Sequence, residues 1–156
     1  MASRFSKWRA AKASTAIRLR FKSQLVEKIP LFAGLSAKES QQIARLVNEI
    51  AVPAGTRLAT AGEAGGELFA IIEGEAVVRT KPGRTATLTA GDVFGEMSLI
   101  DGQPRSATVD ATKPIRLLVL DQRDFWHVLE GAMPIVRKIM QTLCRRVREA
   151  EEGSSA

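Results

Sequence analysis

Between residues 50 and 120 the sequence is cut repeatedly by glycine turns: Pro53-Ala54-Gly55, Ala61-Gly62, Gly65-Gly66, Glu73-Gly74, Pro82-Gly83-Arg84 and Gly91-Asp92. Glycine reaches backbone angles closed to other residues and proline presets one torsion, so such pairs end regular structure and reverse the chain. The runs between them, at 57–60, 68–72, 76–80, 86–89 and 115–120, are rich in Val, Ile, Leu and Thr and too short for helices. Isolated strands of this length bury too little surface to be stable. The spacing therefore predicts a mainly β body of about eight antiparallel strands closed into a small barrel or jelly roll, a double-stranded β-helix.

Helical patterns flank this body. A helix is expected over 15–28, where Ile17, Phe21, Leu25 and Ile29 form an apolar stripe; Phe5, Trp8, Ala11 or Lys12, Thr15 and Leu19 suggest a patchier extension before it. Pro30 ends it, because the residue before a proline disfavours the helical region. Ser36 followed by Glu39 spells a capping box, opening a second helix whose apolar face is Ile43, Leu46 and Val47. Beyond the strands, Asp121 caps a helix from Gln122 to about Glu130 that Gly131 ends, and Pro134 opens the last one. In that last helix Ile135, Val136, Ile139, Met140, Leu143 and Val147 make an apolar stripe. Cys144 falls in the same pattern and reads as a packing residue. The domain reading is a basic helical segment over 1–28, a folded domain over 29–150 with its barrel at about 48–120 and two closing helices at about 121–150, and a loose polar tail over 151–156.

The formal charge of +6 is distributed unevenly: residues 1–28 hold eight Lys/Arg against Glu27 alone, and the other 128 residues sum to −1. A near-neutral body gives no basic surface for nucleic acid, and sequence-specific DNA binding is not expected. The basic segment itself suits contact with an anionic membrane or nucleic acid, an organelle transit peptide, or a solvated helix packed by one face.

The chemistry concentrates at 93–109, V-F-G-E-M-S-L-I-D-G-Q-P-R-S-A-T-V. Gly95 lets the chain turn sharply and come close to a ligand. The short helix after it would aim amide N–H groups at an anion. Arg105 follows Pro104, and its planar fork matches a phosphate in bidentate fashion. Glu96 would repel a phosphate, but its carboxylate can accept hydrogen bonds from a sugar hydroxyl. Together these residues describe a ribose-phosphate clamp.

The segments F-G-E-M-S-L at 94–99 and P-R-S-A-T-V at 104–109 resemble the phosphate-binding cassette of cyclic nucleotide-binding domains, the cAMP and cGMP sensors of kinase regulatory subunits, bacterial regulators and channels. I-P-L-F-A-G-L-S at 29–36 and L-F-A-I-I-E-G at 68–74 are similar to that family's lead-in and third strand. The resemblance implies a site built from Phe94, Gly95, Glu96, Met97, Ser98, Arg105, Ser106 and Ala107. In it Glu96 would hold the ribose 2′-hydroxyl and Arg105 the cyclic phosphate, with backbone of Gly95, Ser106 and Ala107 lining the pocket. It also implies that the last helix closes as a lid over the base and that the helix before the barrel shifts in response. Ser106 leaves the choice of base open; cAMP is expected over cGMP.

An enzyme is not expected. A metal-dependent cupin needs several converging ligands, whereas the chain has one histidine, His127, outside the strands, and no nucleophile–base pair. After the last helix only E-E-G-S-S-A remains, too little for a DNA-reading module. The expectation is a cytoplasmic sensor domain with no attached effector, no cofactor and no metal, whose ligand is a cyclic nucleotide and whose partner is a protein effector. The runner-up is a membrane- or nucleic-acid-associated adaptor acting through residues 1–28, with a degenerate pocket.

Overall fold

The computed structural model of the chain describes residues 5–8, 15–80 and 83–154. It divides into two compact units. One holds Leu46–Phe125 with the described residues 5–8; the other holds the described residues of Ala13–Arg45 and Trp126–Ala156.

The first unit is the expected β body. Its strands are β1 (Asn48–Val52), β2 (Arg57–Ala59), β3 (Glu67–Glu73), β4 (Glu75–Thr80), β5 (Thr85–Thr89), β6 (Val93–Phe94), β7 (Ala107–Ala111) and β8 (Ile115–Asp121). They form two four-stranded antiparallel sheets, ordered β1-β8-β3-β6 and β2-β7-β4-β5. This is the jelly-roll arrangement, with the sheets face to face rather than closed. Alternation along each strand sends one row of side chains between the sheets: Ile50, Val52, Leu58, Phe69, Ile71, Val109, Ile115, Leu117 and Val119 make this core. Phe5 joins it, 4% exposed and packed edge-on to Phe69 at 5.6 Å between ring centres. Ser6–Trp8 is a single 3₁₀ turn, so the patchy helical stripe expected from Phe5 through Leu19 is not what places these residues. Residues 1–4 and 9–14 of the basic segment, Ala11 and Lys12 among them, lie outside the described residues.

The outer surface of the sheets carries ion pairs between sequence-distant strands. Arg57 donates to both carboxylate oxygens of Asp110, at 2.8 and 3.1 Å, and Arg79 lies 3.6 Å from the same group. The Arg57 bond holds the Asp110 carboxyl below its ordinary range. Arg116 bridges Glu49 and Glu73 across β1, β8 and β3.

The second unit is helical. It contains α1 (Thr15–Glu27), a 3₁₀ turn at Pro30–Phe32, and α2 (Ala37–Ala44). Within its bounds also fall most of α4 (Gln122–Glu130) and α5 (Met133–Ser154). The capping box forms as expected: the Ser36 N–H donates to Glu39 Oε1 at 2.9 Å, and the Glu39 N–H donates to Ser36 Oγ at 3.2 Å. Glu39 also receives Lys138 of α5, and that bond, with the capping bonds, holds its carboxyl below the ordinary range. Val26, Ile29, Leu31, Phe32, Ile43, Ile135 and Ile139 are buried.

Three expectations are corrected here. The stripe expected on α1 holds only in part: Phe21 is 41% exposed, Leu25 is half-buried and Ile29 is buried, while Val26, outside the stripe, is fully buried. Of the tail expected to be loose over 151–156, residues 151–154 extend α5, and 155–156 lie outside the described residues; adding a residue to an existing helix costs far less than starting one, so a polar sequence with one glycine can extend it. The apolar stripe of α5 is only half covered. Ile135 and Ile139 are buried, but Met140 and Val147 are 60% and 57% exposed, and Cys144 is exposed rather than packed.

Candidate functional site

The cassette begins where β6 pairs with β3, with Phe94 opposite Phe69 and Val93 opposite Ala70. The two rings stack at 4.7 Å between centres. At Gly95 the backbone enters the left-handed region, φ +86°, and reverses into α3 (Glu96–Asp101). A side chain here would fail twice over: an added Cβ would sit 2.4 Å from the Glu67 carbonyl oxygen and 2.5 Å from Arg105 Nη1. The helix ends at Gly102, again left-handed, whose N–H donates to the Ser98 carbonyl at 3.0 Å. Leu99 anchors α3 by complete burial and Ser98 is 9% exposed, while Met97 projects outward at 76%. Glu96 is half-buried in the first turn.

Arg105 is placed by its backbone before its side chain is considered. Its N–H donates to the Glu63 carbonyl and its carbonyl accepts from the Gly62 N–H, both at 2.8 Å. These bonds, with the bridge between Ala64 and Pro104, tie the cassette's second half to the loop before β3. The side chain then turns inward and is 8% exposed. Nη2 donates to the Glu67 carbonyl at 2.9 Å and to Glu67 Oε2 at 2.8 Å, and the guanidinium centre lies 5.5 Å from the centre of the Phe69 ring. A buried guanidinium without a counter-charge would be costly, and Glu67 supplies it. Gly65 completes the cradle: a Cβ there would meet Ser98 at 2.6 Å and Arg105 Nε at 3.1 Å.

The structure thus brings the sequence-derived residues Phe94, Gly95, Glu96, Ser98 and Arg105 into one small region between β3, α3 and the 62–66 loop. Ser106 follows Arg105 and is exposed; Ala107 is half-buried and starts β7 opposite Thr80. Sequence reasoning missed Glu67, Gly65 and Gln122. Gly65-Gly66 was legible as a turn, but nothing local says that Ser98 and Arg105 pack on it. Gln122, the first residue of α4, donates its backbone N–H to the Gly66 carbonyl at 2.7 Å and its side chain to the Ser98 carbonyl at 3.4 Å. Among the described residues no group of three or more His, Cys, Asp or Glu is placed to hold a metal. No helix among them is long and apolar enough to cross a membrane.

The likeness of this chain to known proteins lies in its sequence and its fold. A family model described as the cyclic nucleotide-binding domain matches residues 49–131. A cyclic nucleotide-gated potassium channel of Rhizobium etli is 40% identical over 123 residues, which cover 79% of this chain and 34% of the channel. A cAMP-dependent protein kinase regulatory subunit of Schizosaccharomyces pombe is 34% identical over 114 residues, 72% of this chain and 28% of that protein. The chain spans about a third of the length of these curated relatives. Among solved structures, a cyclic nucleotide-binding domain from Methylobacillus flagellatus superposes with a TM-score of 0.70 at 29% identity, covering 96% of this chain and 89% of that one.

Proposed function

Because this chain belongs to the cyclic nucleotide-binding domain family, we propose that it is a non-catalytic sensor that binds a cyclic nucleotide, cAMP in preference to cGMP, in the cassette. The observation that carries the reading is Arg105: a nearly buried guanidinium, fixed by the 62–66 loop and by Glu67 of β3, with the backbone of Gly95 and Gly65 close against it. The cyclic phosphate would share its fork with Glu67, and the glycines leave room for the phosphate to approach the backbone. Glu96 would accept from the ribose 2′-hydroxyl. Phe94, Met97, Ser98, Ser106 and Ala107 would line the remainder. The preference for cAMP draws on relatives named as cAMP-dependent kinase regulatory subunits.

Transmission would run through Gln122. Its bonds to Gly66 and Ser98 tie the first turn of α4 to the cassette, so a ligand that draws in α3 also biases α4 and, through the chain, α5. Such a shift requires that the nucleotide bind one arrangement of these helices more tightly than the other. A protein effector would read the result.

Titration calorimetry with cAMP and cGMP, on the wild type and on Arg105→Ala, tests the reading. Removing one partner of a buried charged contact costs ~3–5 kcal/mol, and the lower part of that range corresponds to a loss of affinity of about 10²–10³-fold. Unchanged affinity in the variant would overturn the assignment of Arg105. Equal or tighter cGMP binding would overturn the base preference alone.

A further inference from the structure

The apolar arc of α5 that the fold leaves uncovered is continuous. Met133, Val136, Met140 and Cys144 form the floor of a groove of about 530 Å³ along the helix, and Met133 and Met140 are 63% and 60% exposed. The lining positions recur every three or four residues from 133 to 148, a row about 22 Å long at 1.5 Å per residue. A row with that spacing is the seam into which the side chains of a second helix insert. The opposite side of α5 is occupied, because Ile135, Ile139 and Thr142 are buried.

The charges on this row select the occupant. Arg137, Arg145 and Arg148 line the groove. From 133 to 148 the helix holds five basic residues and no Asp or Glu. Lys138 is engaged by Glu39 on the covered side. Glu149 approaches Arg145 only to 3.9 Å, with both side chains more than half exposed, a contact that offsets little. A second copy of the chain fits poorly. A parallel pair would set each arginine beside its twin. In an antiparallel pair centred on Met140, Glu149 would face position 131, before the helix begins. A bilayer fits poorly too, since Arg137 and Arg145 lie within the apolar row and would be carried toward hydrocarbon with it. Carboxylates on an incoming helix would instead meet these guanidinium groups in bidentate geometry.

We propose that this face of α5 docks an acidic amphipathic helix of a partner protein. Its apolar residues at i, i+3 or i+4, and i+7 would insert among Met133, Val136 and Met140, with Asp or Glu beside them on Arg137, Arg145 and Arg148. Flexible, polarizable methionines suit such a seam because they adapt to different side chains.

The test uses the full chain and a fluorescent 18-residue peptide with Leu at the seam positions and Glu on the flanks. A scrambled peptide of identical composition is the control, and binding is read by anisotropy. Met140→Glu and Arg145→Glu change exposed residues, and unchanged urea midpoints would show that both variants fold. The patterned peptide is expected to bind at least tenfold more tightly than the scrambled one. Each substitution should weaken it tenfold or more, and raising salt from 50 to 500 mM should weaken it severalfold. Equal binding of the two peptides, or no effect of Met140→Glu, would overturn the proposal. So would sedimentation showing a dimer that Met140→Glu dissociates, which assigns the face to a second copy. Binding to phosphatidylserine vesicles that the same substitution abolishes, with the peptide left unbound, would assign the face to a membrane.

Discussion

Gly95 separates two costs that are usually confounded, and Gly91 supplies the comparison. Both residues have left-handed backbones, φ +86° and +94°, so alanine at either position carries a conformational penalty of ~1–2 kcal/mol. At Gly91 an added Cβ meets nothing within 4 Å. At Gly95 it would stand 2.4 Å from the Glu67 carbonyl oxygen and 2.5 Å from Arg105 Nη1. That is about 1 Å inside an ordinary contact, and the obstacles cannot swing aside: one is strand backbone, the other a guanidinium bonded to Glu67. Crowding of this kind typically adds 1–3 kcal/mol, so Gly95→Ala should cost ~2–5 kcal/mol in total against ~1–2 for Gly91→Ala. Urea denaturation of the ligand-free protein measures the difference. Calorimetric titration with cAMP supplies the second readout. Displacing the Arg105 fork should lower affinity at least tenfold in Gly95→Ala and leave it unchanged in Gly91→Ala. Equal stability losses in the two variants, with equal affinities, would refute the placement of Arg105 beneath Gly95.

Ser36→Ala removes the acceptor of the Glu39 N–H while leaving the reciprocal bond, and should destabilise by ~1 kcal/mol in a urea titration, with Ser36→Gly costing only a few tenths. Lys138→Met tests the pH dependence of the Glu39 contact. Lys138 and the cap hold the folded carboxyl below its ordinary value of 4.5, so their stabilisation is present above that value and is lost as pH falls through the lower, folded one. Lys138→Met should therefore melt below the wild type at pH 7, and the gap should close as pH drops below 4.5; a gap constant from pH 7 to pH 3 would count against it.

The cassette was legible in the sequence because its parts are local. Gly95, Glu96 and Arg105 stand within eleven consecutive residues, and each has a chemistry readable from its type. The strands were legible for the same reason, since glycine turns and alternation act over a few residues. Phe5 reaches the barrel core by no local pattern at all. Periodicity on α5 showed an apolar arc, but it measures only the spacing of apolar residues, and that spacing is the same whether the arc is covered by this chain or left to a partner.

Glu67 shows the same limit at the site itself. It lies 38 residues before Arg105, and only the antiparallel pairing of β3 with β6 carries it under Gly95. From the sequence alone, the buried cation in the cassette has no evident counter-ion, and Glu96 is the nearer candidate. The fold gives Arg105 both the carbonyl and the carboxylate of Glu67. That choice has a functional consequence. On the proposed reading, a guanidinium so held would leave a phosphate less side-chain freedom to remove on binding. The contact also links the cassette to β3, which pairs along its length with β8, whose last residue, Asp121, immediately precedes Gln122. Arg105 and the start of α4 are therefore joined through one sheet as well as through Gln122 itself.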